Sequence, residues 1–364
     1  MIIGVPTEIK EGEYRVAVTP AGAHALAADG HRVIIQRGAG EGSNIADGEY
    51  ENAGAELVDG ADGVFQRAEM IMKVKEPVSS EYGALRRGQM LFTYLHLASS
   101  EELTKAMLDA GIIGIGYETV QTDDRHLPLL EPMSEVAGRM SAQVAAQCLQ
   151  KHSGGRGILM GGVTGVAPAE VVVIGCGFVG ASAIKVAAGM GAHVSAFDIN
   201  TYRLAYLDDT YGAAVTSLYS SPLAVAEAIA EADAVIGAVL IPGARAPHVI
   251  SEEMVAAMRP GSVIVDVAID QGGCVENIRP TSHSHPTYVE HGVVHYAVTN
   301  IPAAVPRTST YALTNATLPY ARMIAEMGIA KAMEQDRALA RGLNVADGEL
   351  KCPGVIEAFP HLSN

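Results

Sequence analysis

The segment Val171-Val172-Val173-Ile174-Gly175-Cys176-Gly177-Phe178-Val179-Gly180 restricts what this chain can fold into more than any other. Four β-branched residues run into G-x-G-x-x-G, and residues 181–188 continue with helix formers. Strand, tight glycine turn and helix in that order open a crossover unit of a parallel sheet. Gly175 permits the turn, Gly177 lets backbone approach a pyrophosphate, and Gly180 lets helix and strand pack closely. The helix N-terminus then faces the anion. Asp198 closes the next apolar run, residues 193–197, 18 residues beyond Gly180. A carboxylate there can accept both ribose hydroxyls and repels a 2′-phosphate, which favours NAD over NADP. Arg203 lies nearby, and Cys176 fills a free position of the motif as a small residue.

The same alternation of apolar runs and helical stretches covers most of the 364 residues, a length with room for about two domains. Residues 2–5, 32–36, 70–74, 90–94 and 112–117 read as a first set of strands. Residues 171–175, 193–197, 214–217, 234–239, 262–267 and 294–298 form a second set of six, the number a full dinucleotide-binding fold uses. Thr19-Pro20 and Ser100, the latter followed by Glu101 and Glu102, open helices between the strands, and Gly111 closes one. Residues 134–151 read as a long helix, and the glycine-dense stretch 153–165 as a tightly turned connector. Beyond 308 the pattern is helical to about 343, with Pro319 expected to kink or break it. The expectation is an α/β chain with two doubly wound parallel sheets.

Composition excludes several classes. With 49% hydrophobic and 18% charged residues the chain has material for sizeable cores and is not disordered. Lys+Arg 25 against Asp+Glu 41 gives a net charge of −16, a field that repels nucleic-acid backbones. Cys148, Cys176, Cys274 and Cys352 form no CxxC pair, which argues against a disulfide scaffold and a zinc ribbon and fits a reducing cytoplasm. The first 15 residues carry charge by Glu8 and show no apolar leader core, and no apolar run reaches the ~18 to 20 residues a membrane span needs. His283, His285, His291 and His295 match no standard metal-site spacing, so no metal is expected.

Chemistry-bearing side chains cluster at the ends of strand candidates. Lys73 and Lys75 precede Pro77, His96 ends the 90–94 run, and Asp270 precedes Gly272-Gly273. Open α/β sheets bind ligands beyond the carboxyl ends of their strands. Spacing alone does not select His96 from twelve histidines.

Several segments, in order along nearly the whole chain, carry a resemblance. They are Gly4–Lys10 (GVPTEIK) with Arg15-Val16, Lys73–Pro77 (KVKEP), Thr93–Ala98 (TYLHLA), Met133–Arg139 (MSEVAGR), Val267–Gly273 (VAIDQGG) and Ala304–Thr310 (AVPRTST). With these the chain resembles the bacterial L-alanine dehydrogenase family, to which the NAD-binding subunit of proton-translocating transhydrogenase is similar. The resemblance implies NAD-dependent, reversible oxidative deamination of L-alanine to pyruvate and ammonium, with hydride passing between substrate Cα and nicotinamide C4. It implies that Arg15 pairs with the substrate carboxylate, Lys75 polarises the pyruvate carbonyl, His96 is the general acid/base and Asp270 acts beside it. On the cofactor side it adds Ser134, Arg203, Ser220, Val239, Leu240, Val267, Asp270, Arg279, Val298, Asn300 and Ile301 to Gly175, Gly177, Phe178, Val179, Gly180 and Asp198. Family members usually carry Asn-Met-Pro-Gly where this chain has Asn300-Ile301-Pro302-Ala303.

The resemblance also implies a Rossmann NAD-binding domain, 129–307, inserted into a discontinuous flavodoxin-like substrate domain, 1–128 with 308–364, and a cleft between them as the reaction site. It implies a cytoplasmic homo-hexamer that meets neither nucleic acid nor membrane. Two other readings stand beside it: a dehydrogenase of another small amino acid, such as glycine with glyoxylate, and a non-catalytic NAD-binding subunit of a transhydrogenase-like complex.

Overall fold

A computed structural model describes residues 1–239 and 246–363. The chain divides into two units, Met1–Met133 with Val305–Asn364, and Ser134–Ala304.

In the first unit the strands are β1 (Ile2–Val5), β2 (Arg32–Gln36), β3 (Glu56–Val58), β4 (Met70–Met72), β5 (Met90–Thr93) and β6 (Ile113–Gly116), with β14 (Leu343–Ala346) and β15 (Glu349–Leu350) from the C-terminal segment. Among the described residues they form one sheet in the order β15-β14-β6-β5-β4-β1-β2-β3. β1 to β6 pair in parallel, and β14 joins β6 antiparallel. The five strands read from sequence, β2-β1-β4-β5-β6, stand in the flavodoxin-like order. Three further strands extend it. β3 has three residues and carries Glu56, too short and too polar to show period-two alternation.

The helices start where their caps require. Thr19 Oγ1 accepts from Gly22 N at 3.2 Å, and Ser100 Oγ from Leu103 N at 3.3 Å. Gly111 ends its helix at φ 61°. The C-terminal segment rejoins this unit through helix Pro306–Met327, whose Thr310 Oγ1 accepts from Val16 N at 3.1 Å and whose Arg322 pairs with Asp29 at 2.6 Å. Of the kink or break expected at Pro319, the break does not occur there: the helix runs through Pro319 and ends at Gly328, φ 80°. Losing one N–H weakens a helix, but the buried residues Thr317 and Ala321 on either side hold this one against the unit.

The second unit contains β7 (Glu170–Ile174), β8 (His193–Asp198), β9 (Val215–Tyr219), β10 (Ala234–Gly237), β11 (Val263–Asp266), β12 (Thr287–Glu290) and β13 (Val293–Tyr296). Among the described residues the order is β12-β13-β11-β10-β7-β8-β9. Six strands run parallel as 3-2-1-4-5-6, the dinucleotide-binding order, and β12 adds an antiparallel edge. Alternation along β7 shows why helices cover both faces. Val171 and Val173 pack with Ala183, Ile184 and Ala187 of helix Phe178–Gly189. Val172 and Ile174 pack with Val225 and Ile229 of helix Pro222–Glu231. Among the described residues no helix is long and apolar enough to cross a membrane.

Candidate functional site

Strand order in the first unit turns between β1 and β4, the kind of point at which open α/β sheets bind ligands. The loops leaving the carboxyl ends there carry Glu8, Lys10, Glu13 and Arg15 after β1, and Lys73, Lys75 and Glu76 after β4. Tyr94 and His96 follow β5, and Glu118 follows β6.

Lys73 and Lys75 have different surroundings although they are two residues apart. Lys73 is 1% exposed and pairs with Glu81 at 2.9 Å and Glu8 at 3.3 Å. Burial opposes its charge, but Glu8 and Glu81 outweigh burial and hold its pKa above the ordinary lysine value. Burial raises the Glu8 pKa against the pull of Lys73. Glu8 Oε1 also accepts the Val74 N–H at 2.5 Å and the Lys75 N–H at 3.4 Å. Glu8 and Lys73 thus fix the backbone from which half-buried Lys75 projects. Arg15 is buried and forms a fork with Glu13, Nε to Oε1 at 2.6 Å and Nη2 to Oε2 at 2.5 Å. Its Nη1 lies 3.0 Å from Met133 Sδ. Burial disfavours this charge, and Glu13 more than offsets it.

His96 sits in the left-handed region at φ 47°, a conformation that costs a non-glycine residue about 1 to 2 kcal/mol. Glu118 holds it there by accepting the His96 N–H at 2.6 Å and the Leu95 N–H at 3.1 Å, charge-assisted bonds of the stronger kind. The ring stacks on Tyr94, with centroids 5.7 Å apart and planes at 24°. Tyr94 is fixed by donating to Leu129 O at 2.6 Å. His96 Nδ1 faces Glu76 Oε2 at 3.4 Å, and Lys10 pairs with the other oxygen of Glu76. Burial raises the Glu76 pKa, but the His96 and Lys10 contacts dominate and bring it down to about 2. Arg15, Lys75 and His96 therefore follow adjoining strand ends, each held by its own acidic partner, Glu13, Glu8 and Glu76 with Glu118.

In the second unit Gly175 takes φ 93°, and a Cβ on it would lie 2.6 Å from Ala238 O. A Cβ on Gly180 would collide with the Gly175 carbonyl oxygen. At Gly177, the N-cap of the helix that starts there, the nearest atom to such a Cβ is Arg203 Nη1 at 3.4 Å. The loop thus offers a helix N-terminus with room above the middle glycine. Asp198 is buried and accepts Cys176 N at 2.7 Å and Asn200 N at 2.8 Å, with Arg203 3.7 Å away. It ties the glycine loop to the end of β8. Burial, with Asp198 adding, pushes the Cys176 thiol up to about 12, so Cys176 packs as a neutral filler.

The other sequence-predicted residues fall as follows. Ser220 N donates to Asp198 O at 3.0 Å, and half-buried Val239 follows β10 beside the glycine turn. Asp270 is exposed and accepts Asn300 N at 3.2 Å. Half-buried Val267 begins the turn that carries Asp270. Val298 and Ile301 are buried in the core, and Ser134 is half-buried on helix Glu131–Cys148. Arg279 lies over the Tyr288 ring at 4.0 Å. Leu240 lies outside the described residues. Asn300 supplies the positive φ of its turn, 59°, so Ala303 is spared it. Among the described residues, no group of three or more His, Cys, Asp or Glu could hold a metal ion.

Comparison with known proteins fits this layout. The family model "Alanine dehydrogenase/PNT, N-terminal domain" matches residues 4–137, and "Alanine dehydrogenase/PNT, C-terminal domain" matches 141–353. The chain belongs to the alanine dehydrogenase/PNT family. It is 59% identical to an alanine dehydrogenase of Methanococcus maripaludis over 98% of this chain and 96% of the relative. Identity to an alanine dehydrogenase of Bacillus subtilis is 56%, over 96% and 92%. A solved L-alanine dehydrogenase superposes with a TM-score of 0.97 at 52% identity, covering 100% of both chains. A transhydrogenase from Sinorhizobium meliloti reaches 0.81 at 25%, over 97% and 99%.

For this alanine dehydrogenase/PNT member, sequence reading assigned no role to Glu8, Glu13, Glu76, Tyr94 or Glu118. They hold the predicted residues in place, and pairs such as Glu118 with His96 are too far apart in the chain for spacing to reveal.

Proposed function

We propose that this chain is an NAD-dependent L-alanine dehydrogenase, converting L-alanine, NAD and water reversibly to pyruvate, ammonium, NADH and a proton. Identity of 59% and 56% to alanine dehydrogenases over nearly the full length carries this reading. The second unit has what this cofactor needs: a helix N-terminus for the pyrophosphate, glycines that admit its backbone approach, and the Asp198 carboxylate at the end of β8 to accept from the ribose. NAD, when bound, accepts the substrate hydride at nicotinamide C4.

The remaining chemistry belongs to side chains. Lys75 donates to the carbonyl oxygen of pyruvate and stabilises negative charge developing there. Arg15 attracts the substrate carboxylate from the loop after β1, where Glu13 orients its guanidinium. In the deamination direction His96 takes a proton from water as the water oxygen bonds the iminium carbon. It returns that proton to the amine nitrogen as the C–N bond breaks, and the ring, neutral again, takes the hydroxyl proton as the carbonyl forms and releases it to solvent or to the departing ammonia. Asp270 stabilises the cationic iminium.

The family likeness supports a cytoplasmic homo-hexamer, which sedimentation velocity measures directly. The function is tested by following NADH formation from L-alanine and NAD by the purified chain, with a panel that includes glycine. NAD binding without turnover of any amino acid would favour the non-catalytic subunit instead.

A further inference from the structure

Glu76 has no part in the chemistry described so far, yet both its oxygens are engaged at the site. Oε1 is paired with Lys10, and Oε2 lies 3.4 Å from His96 Nδ1. We propose that Glu76 is a positioning residue that holds the hydrogen of His96 on Nδ1 and so makes Nε2 the atom that exchanges protons with substrate. This rests on the reading of His96 as the acid/base group.

An ionised carboxylate has no proton to give, so a hydrogen bond between these groups requires the hydrogen on Nδ1. Glu76 is held ionised by Lys10 and His96 against the effect of burial. The neutral ring then has one acceptor, Nε2, directed away from Glu76. Three contacts limit other ring placements. Glu118 fixes the His96 backbone at 2.6 Å, the left-handed φ of 47° sets where the side chain leaves the chain, and Tyr94 lies against the ring face. Among the described residues, the charged or titratable groups in contact with His96 are Glu76 from the loop after β4, Glu118 after β6 and Tyr94 after β5, and Lys10 is joined to it through Glu76. A partner that orients a catalytic imidazole and fixes its tautomer is a recurring device on unrelated folds.

The test is Glu76→Gln in the full-length protein. Loss of the carboxylate should lower kcat/KM for L-alanine by about 10- to 100-fold, within the range general acid/base catalysis supplies. It should also move the acidic limb of the kcat/KM profile to lower pH, because the imidazolium loses its counter-charge. In the amination direction the alkaline limb should move the same way. NAD affinity should not change. A lower rate with unmoved limbs marks a merely structural residue and overturns the proposal, as does wild-type behaviour of the variant. An inactive wild-type chain defeats the underlying functional reading instead. If the variant does not fold, 15N chemical shifts of the wild-type ring decide, with His96 assigned by difference from His96→Gln. The Nδ1–H tautomer supports the proposal, and the Nε2–H tautomer overturns it.

Discussion

Two side chains carry the sharpest consequences at the scale of single residues. His96→Ala should reduce alanine-dependent NADH formation by on the order of 10²- to 10⁴-fold while NAD titration stays as in the wild type. Steady-state kinetics with fluorescence titration checks both halves. Asp198→Ala should raise the KM for NAD and reduce discrimination against NADP, read as the ratio of kcat/KM for the two cofactors. Because Asp198 also holds Cys176 N and Asn200 N, the variant should in addition loosen the glycine loop, so the loss for NAD should exceed the gain for NADP. The place of Asp198 at the end of β8 was legible in the sequence because chain spacing is fixed in a strand–helix–strand unit. His96 was legible only as a strand-end histidine. What distinguishes it from the other histidines is a set of through-space partners, Glu76, Tyr94 and Glu118.

Elements were most readable where one physical demand fixes several residues at once. The β7 strand, glycine turn and helix Phe178–Gly189 stand where the motif put them, because turn, close approach and crossing each require a missing side chain. Gly180→Ala tests that demand. Its methyl group would meet the Gly175 carbonyl, so the variant should lose about 1 to 3 kcal/mol of stability and bind NAD more weakly, by thermal unfolding with and without the cofactor. Gly138 is a related case on helix Glu131–Cys148. A Cβ there would collide with the Val179 carbonyl, so the long helix and the glycine-loop helix approach each other through bare backbone. No local pattern announces such a crossing. β3 and β15, of three and two residues, are too short for alternation to be seen, and Gly328 rather than Pro319 ends the last long helix because packing outweighs one lost hydrogen bond.

At the scale of the whole molecule, a chain of −16 accommodates a dinucleotide because the charge that matters is local: a helix N-terminus and backbone N–H groups at one loop. The return of the C-terminal segment to the first sheet is the feature least visible in chain order. β14 pairs with β6 through Leu343 with Ile115 and Val345 with Gly114, a separation no periodicity encodes; family resemblance alone suggested that the first domain is completed by the C-terminus. The two units carry complementary sets. Arg15, Lys75 and His96 lie at the strand ends of one, and the glycine loop, Asp198 and Asp270 lie in the other. The measurement that bears most directly on the account is NADH formation by the purified chain from NAD and L-alanine across neutral to alkaline pH. Alanine-dependent turnover is expected, and the His96→Ala variant should nearly abolish it. NAD binding with no amino-acid-dependent NADH formation at any pH in that range would contradict the account.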